Sequence, residues 1–334
     1  MTRLASISAV VLCSLLAAAD APSAPRQLRV AYVTPIVTAP TPRELFGQGL
    51  LGFHRAVKDF GIHGRVVAQG DATVWRTTIT SVARQKFDLI FPGIILNERN
   101  FDLLVRLMAK YPRTSFVVDF PYEFFPKDTK NVQGTNFKAE EGGYLAGYLA
   151  ALMERQRPGR DVIGSVGGIK LPNVDDFIAG YQAGARKAVP GIVTLNGYSG
   201  SFGDPVKCRA VARRQFAKGS GVVFNVAGGC GIGTLQAARE QGAWAIGVDV
   251  DQSFYGPHVL TSAIKRGDVW VYNTIRDLVR GKLETRRTVE WDLANGGVGL
   301  SKISSKVPKS FVREIERIRA LIIAEKITVP DEIK

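Results

Sequence analysis

The chain has 334 residues, of which 46% are hydrophobic and 22% are charged, and its formal net charge is +14. This composition lies far from that of disordered chains and can bury a large core, which at this length predicts two domains. The 35 glycines and 16 prolines are dispersed without a period, which excludes collagen-like and low-complexity chains.

The first 19 residues have the pattern of a signal peptide. One basic residue, Arg3, precedes the apolar stretch Leu4–Leu16, and the small residues Ala17–Ala19 follow. The stretch is shorter than the roughly 20 residues that span a bilayer, so we expect cleavage after Ala19 and no transmembrane segment in the mature chain. We therefore predict a periplasmic or extracellular protein. A lipid anchor on Cys13 is the alternative, although the bulky Leu12 precedes that cysteine.

From Gln27 onward, short β-branched runs alternate with longer amphipathic runs, which is the pattern of βαβ units. The first series of predicted elements is strand Leu28–Thr34, helix Arg43–Phe60, strand Gly64–Gln69, helix Thr73–Lys86, strand Asp88–Phe91, helix Phe101–Lys110 and strand Ser115–Asp119. Such alternation predicts a parallel sheet covered by helices.

The alternation restarts after Phe137. The second series is helix Glu140–Arg155, strand Val162–Val166, helix Asp175–Ala188, strand Ile192–Leu195, helix Pro205–Lys218, strand Gly221–Val226, helix Thr234–Gln241 and strand Trp244–Val248. The tail adds strand Val259–Ile264, helix Val269–Arg280, strand Arg287–Trp291, a glycine turn at 296–299 and helix Phe311–Lys326. The tail is too short for a third domain, so we expect it to return across both lobes.

The predicted fold class is α/β, with two doubly wound parallel-sheet lobes joined by hinge crossovers. We assign residues 27–136 and 249–284 to the first lobe, and residues 137–248 and 285–334 to the second. The crossovers are then expected near Phe137, Asp249 and Glu284. Ligands of open α/β sheets bind outside the carboxyl ends of the strands, so two facing lobes predict a ligand cleft between them.

The basic surplus is spread along the chain. It predicts a solvated basic surface, with attraction to an acidic partner or an anionic ligand as the alternative. Without a clustered basic arm or a helix-turn-helix headpiece, we predict no nucleic acid polymer as a partner.

The chain has few soft metal ligands. It contains three cysteines and three histidines, and no CxxC or HExxH spacing occurs. We therefore expect no metal site and no cofactor. Removal of the leader would leave Cys208 and Cys230 in an oxidising compartment, where they form either one disulfide or two buried thiols.

Several loop motifs, read together, resemble one family. They are Phe137–Gly147, Gly200–Pro205, Ala227–Gly231, Ile246–Gln252 and Leu260–Arg266, and Gly296–Leu300 closes the match. This chain is similar to the basic membrane protein family of ABC-transporter substrate-binding proteins, whose best-known members bind purine nucleosides. The resemblance implies the type I periplasmic-binding-protein fold, which the two-lobe pattern also predicts.

The resemblance also implies ligand-binding residues. In nucleoside-binding members, one aromatic ring from each lobe sandwiches the base, and carboxylates and a lysine bind polar edges and ribose hydroxyls. By motif, Phe202 matches the second-lobe stacking position, and Asp249 and Lys265 match the ribose-binding pair. Gly228 and Gly229 would let backbone N–H groups approach the ligand. The alternative for Phe202 is a core phenylalanine. The alternative for Asp249 and Lys265 is an interlobe salt bridge, and that for the two glycines is a tight turn.

The first lobe departs from the family pattern. Pro42–Gln48 stands where many relatives read Asp-Lys-Ser-Phe-Asn-Gln, and it keeps Phe46 as either a stacking ring or a buried helix residue. Asp119 ends a strand like the base-reading aspartate of the family, one position early. The aromatic stretch Phe120–Pro126 either supplies the missing contacts or packs over the hinge.

Lys170 replaces an aspartate that is common in the family, which favours a ligand with more hydrogen-bond acceptors.

Enzyme chemistry has little support in the sequence. Gly228–Gly233 is out of register with GxGxxG, and Cys230 has no base or third partner placed for nucleophilic attack. Asp249 and Asp251 are two residues apart after a strand, so their carboxylates should point to opposite sides.

We therefore predict a non-catalytic, extracytoplasmic substrate-binding component of an ABC importer. Its predicted partners are a small solute, with a purine nucleoside or base as first choice, and the permease subunits. An exported α/β sensor or hydrolase acting on a similar small molecule is the alternative.

Overall fold

The computed structural model describes residues 26–34, 45–93, 97–159 and 161–333. The predicted leader and its cleavage site lie outside these residues. Within them the strands are β1 Arg29–Thr34, β2 His63–Ala68, β3 Leu89–Phe91, β4 Ser115–Val117, β5 Val132–Phe137, β6 Val162–Gly167, β7 Val193–Tyr198, β8 Val222–Val226, β9 Trp244–Asp249, β10 Val259–Lys265, β11 Arg287–Trp291 and β12 Val298–Leu300.

The helices in the same part of the chain are α1 Leu45–Phe60, α2 Ala72–Arg84, α3 Glu98–Lys110, α4 Ala139–Glu154, α5 Pro172–Ala188, α6 Pro205–Ala217, α7 Ile232–Glu240, α8 Gly267–Val279 and α9 Lys309–Ile323. None of these described helices combines the length and the apolar character needed to cross a membrane.

Two six-stranded sheets form the two lobes. The first sheet has the order β11-β5-β4-β3-β1-β2, and its strand pairs are parallel. The second has the order β12-β10-β9-β8-β6-β7, and only its edge strand β12 runs antiparallel among the described pairs. The orders correspond strand for strand, so each lobe repeats one doubly wound topology. The predicted fold class is confirmed.

The crossovers between the lobes differ from the predicted ones. The chain passes from β5 to the second lobe after Phe137, as expected, but β10 belongs to the second sheet and β11 to the first. The assignment of residues 249–284 to the first lobe and 285–334 to the second is therefore wrong for these strands. The return crossings lie at 265–267 and 291–298 instead of near Asp249 and Glu284.

Backbone hydrogen bonds tie these crossovers together. The Lys138 N–H donates to the Trp291 carbonyl at 2.9 Å, and the Arg266 N–H donates to the Gly297 carbonyl at 2.8 Å. Each bond joins two segments that pass between the lobes. The three crossovers therefore form one connected hinge.

Strand β5 was missed by the sequence analysis. Its sequence, VQGTNF, lacks the continuous β-branched run that marks a buried parallel strand, yet its Gln133 and Thr135 are buried. The Gln133 amide donates to the Glu284 carbonyl at 2.7 Å, which offsets the cost of burying that polar group. Only the packed structure reveals this pairing, because the partner lies 151 residues away.

Helices α4 and α5 approach each other unusually closely because of four glycines. A Cβ atom on any of them would overlap a backbone carbonyl oxygen of the facing helix, and the overlaps are reciprocal: Gly143 with Phe177, Gly147 with Tyr181, Gly180 with Glu140 and Gly184 with Tyr144. The glycines of the Glu-Gly-Gly…Gly motif thus have a packing role. Their close contact fixes the start of α5 beside the start of α4.

Replacement of Gly147 by alanine should be strongly destabilising. The new methyl group would overlap the Tyr181 carbonyl, and backbone oxygens cannot move aside cheaply. We expect the free energy of unfolding to fall by about 3 kcal/mol in urea denaturation followed by circular dichroism. Gly203→Ala is the control, because that position has open space around it. Equal losses for the two variants would contradict the packing role.

Candidate functional site

The carboxyl ends of the strands in both lobes carry the polar side chains that the sequence analysis selected. Asp119 lies two residues after β4 of the first sheet, and Asp249 and Lys265 are the last residues of β9 and β10 in the second. Since β9 and β10 are neighbours in a parallel pair, Asp249 and Lys265 reach the same edge of the second sheet. Asp119 reaches this region from the other lobe.

The charges of these three residues act on one another across the interlobe cleft. The Asp119 side chain is accessible to solvent, yet neighbouring protein atoms partly desolvate its carboxylate. This desolvation raises the pKa of Asp119 to about 6, with Lys265 opposing the rise and Asp249 adding to it. Desolvation likewise raises the pKa of Asp249, and Lys265 lowers it. The structure therefore brings Asp119, Asp249 and Lys265 together.

Asp249 is held in a strained turn. Its φ is +64°, a left-handed conformation that residues other than glycine rarely adopt, and the Val250 N–H donates to the Val248 carbonyl at 2.7 Å around it. Such strain persists only where the surroundings impose it, and it is common at functional sites.

A buried glutamine maintains that turn. The Gln252 Oε1 accepts hydrogen bonds from the Asn225 side chain and the Val248 N–H, both at 3.1 Å. The Gln252 N–H donates to the Ser262 hydroxyl at 2.9 Å. Gly247 leaves the room for this arrangement, because a Cβ there would come within 2.6 Å of the Gln252 Oε1. The position of Asp249 is thus fixed by β8, β9 and β10 together.

Lys265 lies between two aromatic rings and has no direct ionic partner. Its Nζ is 5.6 Å from the Phe137 ring centroid and 5.3 Å from that of Phe177, within the range of cation–π attraction. Within the described part of the chain, no carboxylate oxygen lies within 4 Å of this Nζ. Lys265 therefore forms no salt bridge with Asp249 or any other described residue, so the alternative of an interlobe salt bridge is wrong.

Phe202 forms an exposed ring on the second lobe. Its side chain is 39% exposed, so the alternative of a core phenylalanine is wrong. The ring lies against Gly168 at the end of β6, where any side chain would overlap it. The Phe202 carbonyl accepts from the Cys230 N–H at 2.8 Å. An aromatic face is thus presented at the edge of the sheet on a loop with fixed backbone.

A disulfide fixes the base of that loop. Cys208 in α6 and Cys230 in the turn after β8 are bonded, with their Cα atoms 5.6 Å apart, which decides between the two alternatives left open by the sequence. Gly228 has φ +53° and belongs to the tight turn 228–231. A Cβ on Gly229 would lie only 3.3 Å from the Phe202 carbonyl oxygen. The two glycines therefore let the turn, the disulfide and the Phe202 loop fit together.

Two first-lobe predictions have different outcomes. Phe46 lies in the first turn of α1, and its side chain is outside the described residues, as are residues 42–44. The aromatic stretch after Asp119 packs mainly within the first lobe: Phe125 is buried and stacks on Phe120 at 5.3 Å. Of these phenylalanines, only Phe124 is exposed, at 69%.

The structure adds two carboxylates that the sequence analysis missed. Asp176 lies near the start of α5, and desolvation raises its pKa to about 6 while the Lys265 charge opposes the rise. Glu140 lies in the first turn of α4, and desolvation raises its pKa to about 7, with Asp176 adding to the rise. Glu140 belongs to a motif quoted for the family resemblance, but Asp176 is an ordinary helical acid by its pattern. Their proximity follows from the close α4–α5 contact.

Comparison with known proteins agrees with this architecture. A family model described as "ABC transporter substrate-binding protein PnrA-like" matches residues 48–332. Among solved structures, an ABC transporter solute-binding protein from Aeropyrum pernix K1 superposes with a TM-score of 0.74 at 21% identity, covering 92% of this chain and 94% of that one. A second solute-binding protein, from Conexibacter woesei, gives a TM-score of 0.72 at 22% identity, covering 92% and 100%.

Curated relatives give the same result at higher identity. "Basic membrane protein B" of Borrelia garinii subsp. bavariensis is 36% identical over 235 residues, which are 69% of this chain and 66% of that protein. "ABC transporter nucleoside-binding protein BmpA" of Lactococcus lactis subsp. cremoris is 30% identical over 281 residues, covering 78% and 76% of the two chains. This chain therefore belongs to the Bmp family of ABC transporter substrate-binding proteins, which are binding proteins and not enzymes.

Proposed function

We propose that this protein captures a purine nucleoside or base in the cleft between its lobes and delivers it to the permease of an ABC importer. Phe202, Asp249 and Lys265 of the second lobe and Asp119 of the first are the proposed ligand-binding residues. Gly228 and Gly229 are proposed to let the backbone approach the ligand, and Phe46 to supply the ring of the first lobe. The site would lie outside the cytoplasm, in agreement with the leader expected for residues 1–19.

One observation carries the proposal. Asp119, Asp249 and Lys265 reach one cleft from two lobes, yet the described residues give their side chains no hydrogen bond or ion pair with each other. Partly desolvated ionised groups are costly unless they are hydrogen-bonded. A ligand with N–H and O–H donors for the carboxylates and an acceptor for the ammonium would satisfy all three. A nucleoside provides both kinds of group around an aromatic ring.

The exposed Phe202 ring supports an aromatic ligand. An exposed ring held by its backbone offers stacking area with little loss of side-chain freedom on binding. One relative, from Lactococcus lactis, is named as nucleoside-binding. The chemistry of the cleft and this relative favour the same class of solute.

The hinge suggests how binding would be signalled to the permease. A ligand held by groups from both lobes binds the closed state more tightly than the open one, and this difference in affinity shifts the population toward closure. The connected crossovers allow one lobe to rotate against the other without disturbing either sheet. We propose that the closed form is the one that the permease recognises.

Removal of either charged group of the second lobe should abolish tight binding while the fold is retained. Asp249→Asn and Lys265→Met each remove a charge-assisted hydrogen bond to the ligand, so we expect about a tenfold to hundredfold weaker affinity. Isothermal titration calorimetry with adenosine, guanosine and inosine measures the change, and thermal melting checks the fold.

Asp251→Asn is the matched control for this experiment. Asp251 lies two residues beyond Asp249, is exposed and accepts a hydrogen bond from the Ser253 N–H at 3.0 Å. The control should keep the wild-type affinity. Wild-type affinity in the Asp249 and Lys265 variants would reject the proposed site. Conversion of a nucleoside to products would identify the hydrolase instead.

The disulfide should strengthen ligand binding by holding the Phe202 loop. Cys208→Ala/Cys230→Ala should lower the free energy of unfolding by about 3 kcal/mol, because the disulfide joins cysteines 22 residues apart in the chain.

Phe202→Ala should cost about 1–3 kcal/mol of binding free energy, as loss of base stacking on aromatic rings does. In the Phe202→Ala background, loss of the disulfide should have little further effect on affinity, measured by calorimetry. Additive losses would show that the disulfide does not act through Phe202.

Affinity should rise with pH between 5 and 7. The pKa of Asp119 is raised to about 6 in the ligand-free cleft, and the ionised carboxylate accepts hydrogen bonds from ligand donors more strongly than the protonated acid does. Binding therefore releases a proton near pH 6, and affinity should grow by up to about tenfold per pH unit below that pKa. Titrations of adenosine at several pH values test this, and Asp119→Asn should flatten the profile. An unaltered profile in that variant would exclude Asp119 as the titrating group.

A further inference from the structure

We propose that the exposed side of helices α6 and α7 binds the anionic surface of a lipid bilayer. These helices cover the second sheet, whereas the ligand cleft lies at the carboxyl edge of that sheet. The inference goes beyond the proposed function, because it does not depend on which solute the cleft binds.

The fold gathers part of the basic surplus on these two helices. Residues 204–218, which include α6, contain five basic residues and one acid, Asp204. Helix α7 ends with Arg239 and Glu240. The six basic side chains, called the basic face below, are Lys207, Arg209, Arg213, Arg214, Lys218 and Arg239. Six basic and two acidic residues give this region a net charge of +4.

The helical period puts most of the basic face on one exposed side of α6. The exposed residues of the helix and its C-cap recur every three or four positions. They are Val206, Lys207, Ala210, Arg213, Arg214, Ala217 and Lys218. Cys208, Val211 and Ala212 are buried in the core on the opposite side. Because small alanines separate the long basic side chains, the charged ends project furthest and can reach a flat surface together.

Most of the basic face has no ionic partner. Glu240 pairs with both Arg209 and Arg213, and its oxygen lies 2.9 Å from the Arg213 nitrogen. Asp204 caps α6 and accepts a hydrogen bond from the Val206 N–H at 3.0 Å. Among the residues that the structure describes, no carboxylate oxygen lies within 4 Å of the charged nitrogens of the other four, which are Lys207, Arg214, Lys218 and Arg239. Their attraction for an external anionic surface is therefore not offset within the protein.

The shape of this surface and the family of the protein favour a bilayer as the acidic partner. Basic side chains along the outer side of a helix suit a planar layer of anionic headgroups. Val206, at the start of the same side, is 74% exposed and adds an apolar group, as interfacial helices do. The family consists of binding proteins of ABC transporters, which act at a membrane. Attraction to the bilayer would raise the concentration of this protein beside a permease.

The cleft would stay accessible while the basic face is bound. Helix α6 follows β7 and precedes β8, and both strands run parallel to β6. A helix between two such strands returns from the carboxyl edge of the sheet to the opposite edge. Arg214 and Lys218, at the end of α6, therefore lie at the edge away from the cleft. Variants at these two positions test the basic face without changing the ligand site.

The test measures co-sedimentation of the purified protein with two kinds of vesicle. One consists of phosphatidylcholine alone, and the other contains equal amounts of phosphatidylcholine and phosphatidylglycerol. Wild type should bind only the anionic vesicles, and binding at about 0.1 M salt should disappear at about 1 M. Arg214→Gln/Lys218→Gln should weaken binding to the anionic vesicles about tenfold, because two unpaired charges are lost.

Arg106→Gln/Lys110→Gln is the matched control. These residues have the same types and the same spacing, are exposed, and lie near the end of α3 in the first lobe. The control has the same net charge as the test variant and should keep wild-type binding to vesicles. All three proteins share one N-terminus, so any lipid anchor contributes equally. Thermal melting checks the fold of both variants.

Three results would overturn the inference. The first is equal binding to anionic vesicles by wild type and Arg214→Gln/Lys218→Gln. The second is an equal loss in the test variant and the control, which would show that net charge alone matters. The third is binding of wild type to poly-glutamate but not to anionic vesicles, which would identify an acidic protein as the partner.

Calorimetric titration with adenosine separates this inference from the proposed function. Arg214→Gln/Lys218→Gln should keep the wild-type affinity for adenosine, because the two residues lie away from the cleft. Binding of wild type to anionic vesicles without binding of any nucleoside would support the basic face and reject the proposed function. Nucleoside binding without vesicle binding would do the reverse.

Discussion

The functional architecture depends on one lysine that attracts several carboxylates without pairing with any of them. Lys265 is held between the Phe137 and Phe177 rings, so its ammonium stays near the cleft at distances set by packing. Asp249 is kept at the same edge by a strained backbone. A direct ion pair would satisfy both groups and leave nothing for a ligand to do. In the proposed function, a bound solute would satisfy these unpaired charges.

Much of the fold could be predicted from alternation of short apolar runs and amphipathic runs. What the pattern could not assign was the lobe to which each late strand belongs. The lobe to which β10 and β11 belong depends on their pairing with β9 and β5. The paired residues Val259 and Ala245 are 14 positions apart in the chain, and the paired residues Arg287 and Gln133 are more than 150 apart. Such non-local pairing has no local signal, so the boundaries were displaced while the element order was right.

The candidate site shows the same division between local and non-local information. Asp119, Asp249 and Lys265 follow apolar strands, and the carboxyl end of a parallel strand is where ligand groups are expected. Glu140 is in the first turn of α4, where acids are ordinary because the helix dipole favours them, and Asp176 follows the first turn of α5. They lie near Lys265 because glycines hold α4 close to α5. The sequence motif shows these glycines but not the helix contact that they allow.

Stability and binding respond to the same carboxylates with opposite signs. In the ligand-free protein the pKa values of Asp119 and Asp176 are raised to about 6 from an ordinary 3.8, so their contribution to stability is present at acidic pH and is lost as pH rises through about 6. A ligand that donates hydrogen bonds favours the ionised form and reverses this trend. In the proposed function, a bound solute would offset the same charges that weaken the empty cleft near neutral pH. The fold stays stable although the empty site is poorly satisfied, because the buried cores of the two lobes supply the stability.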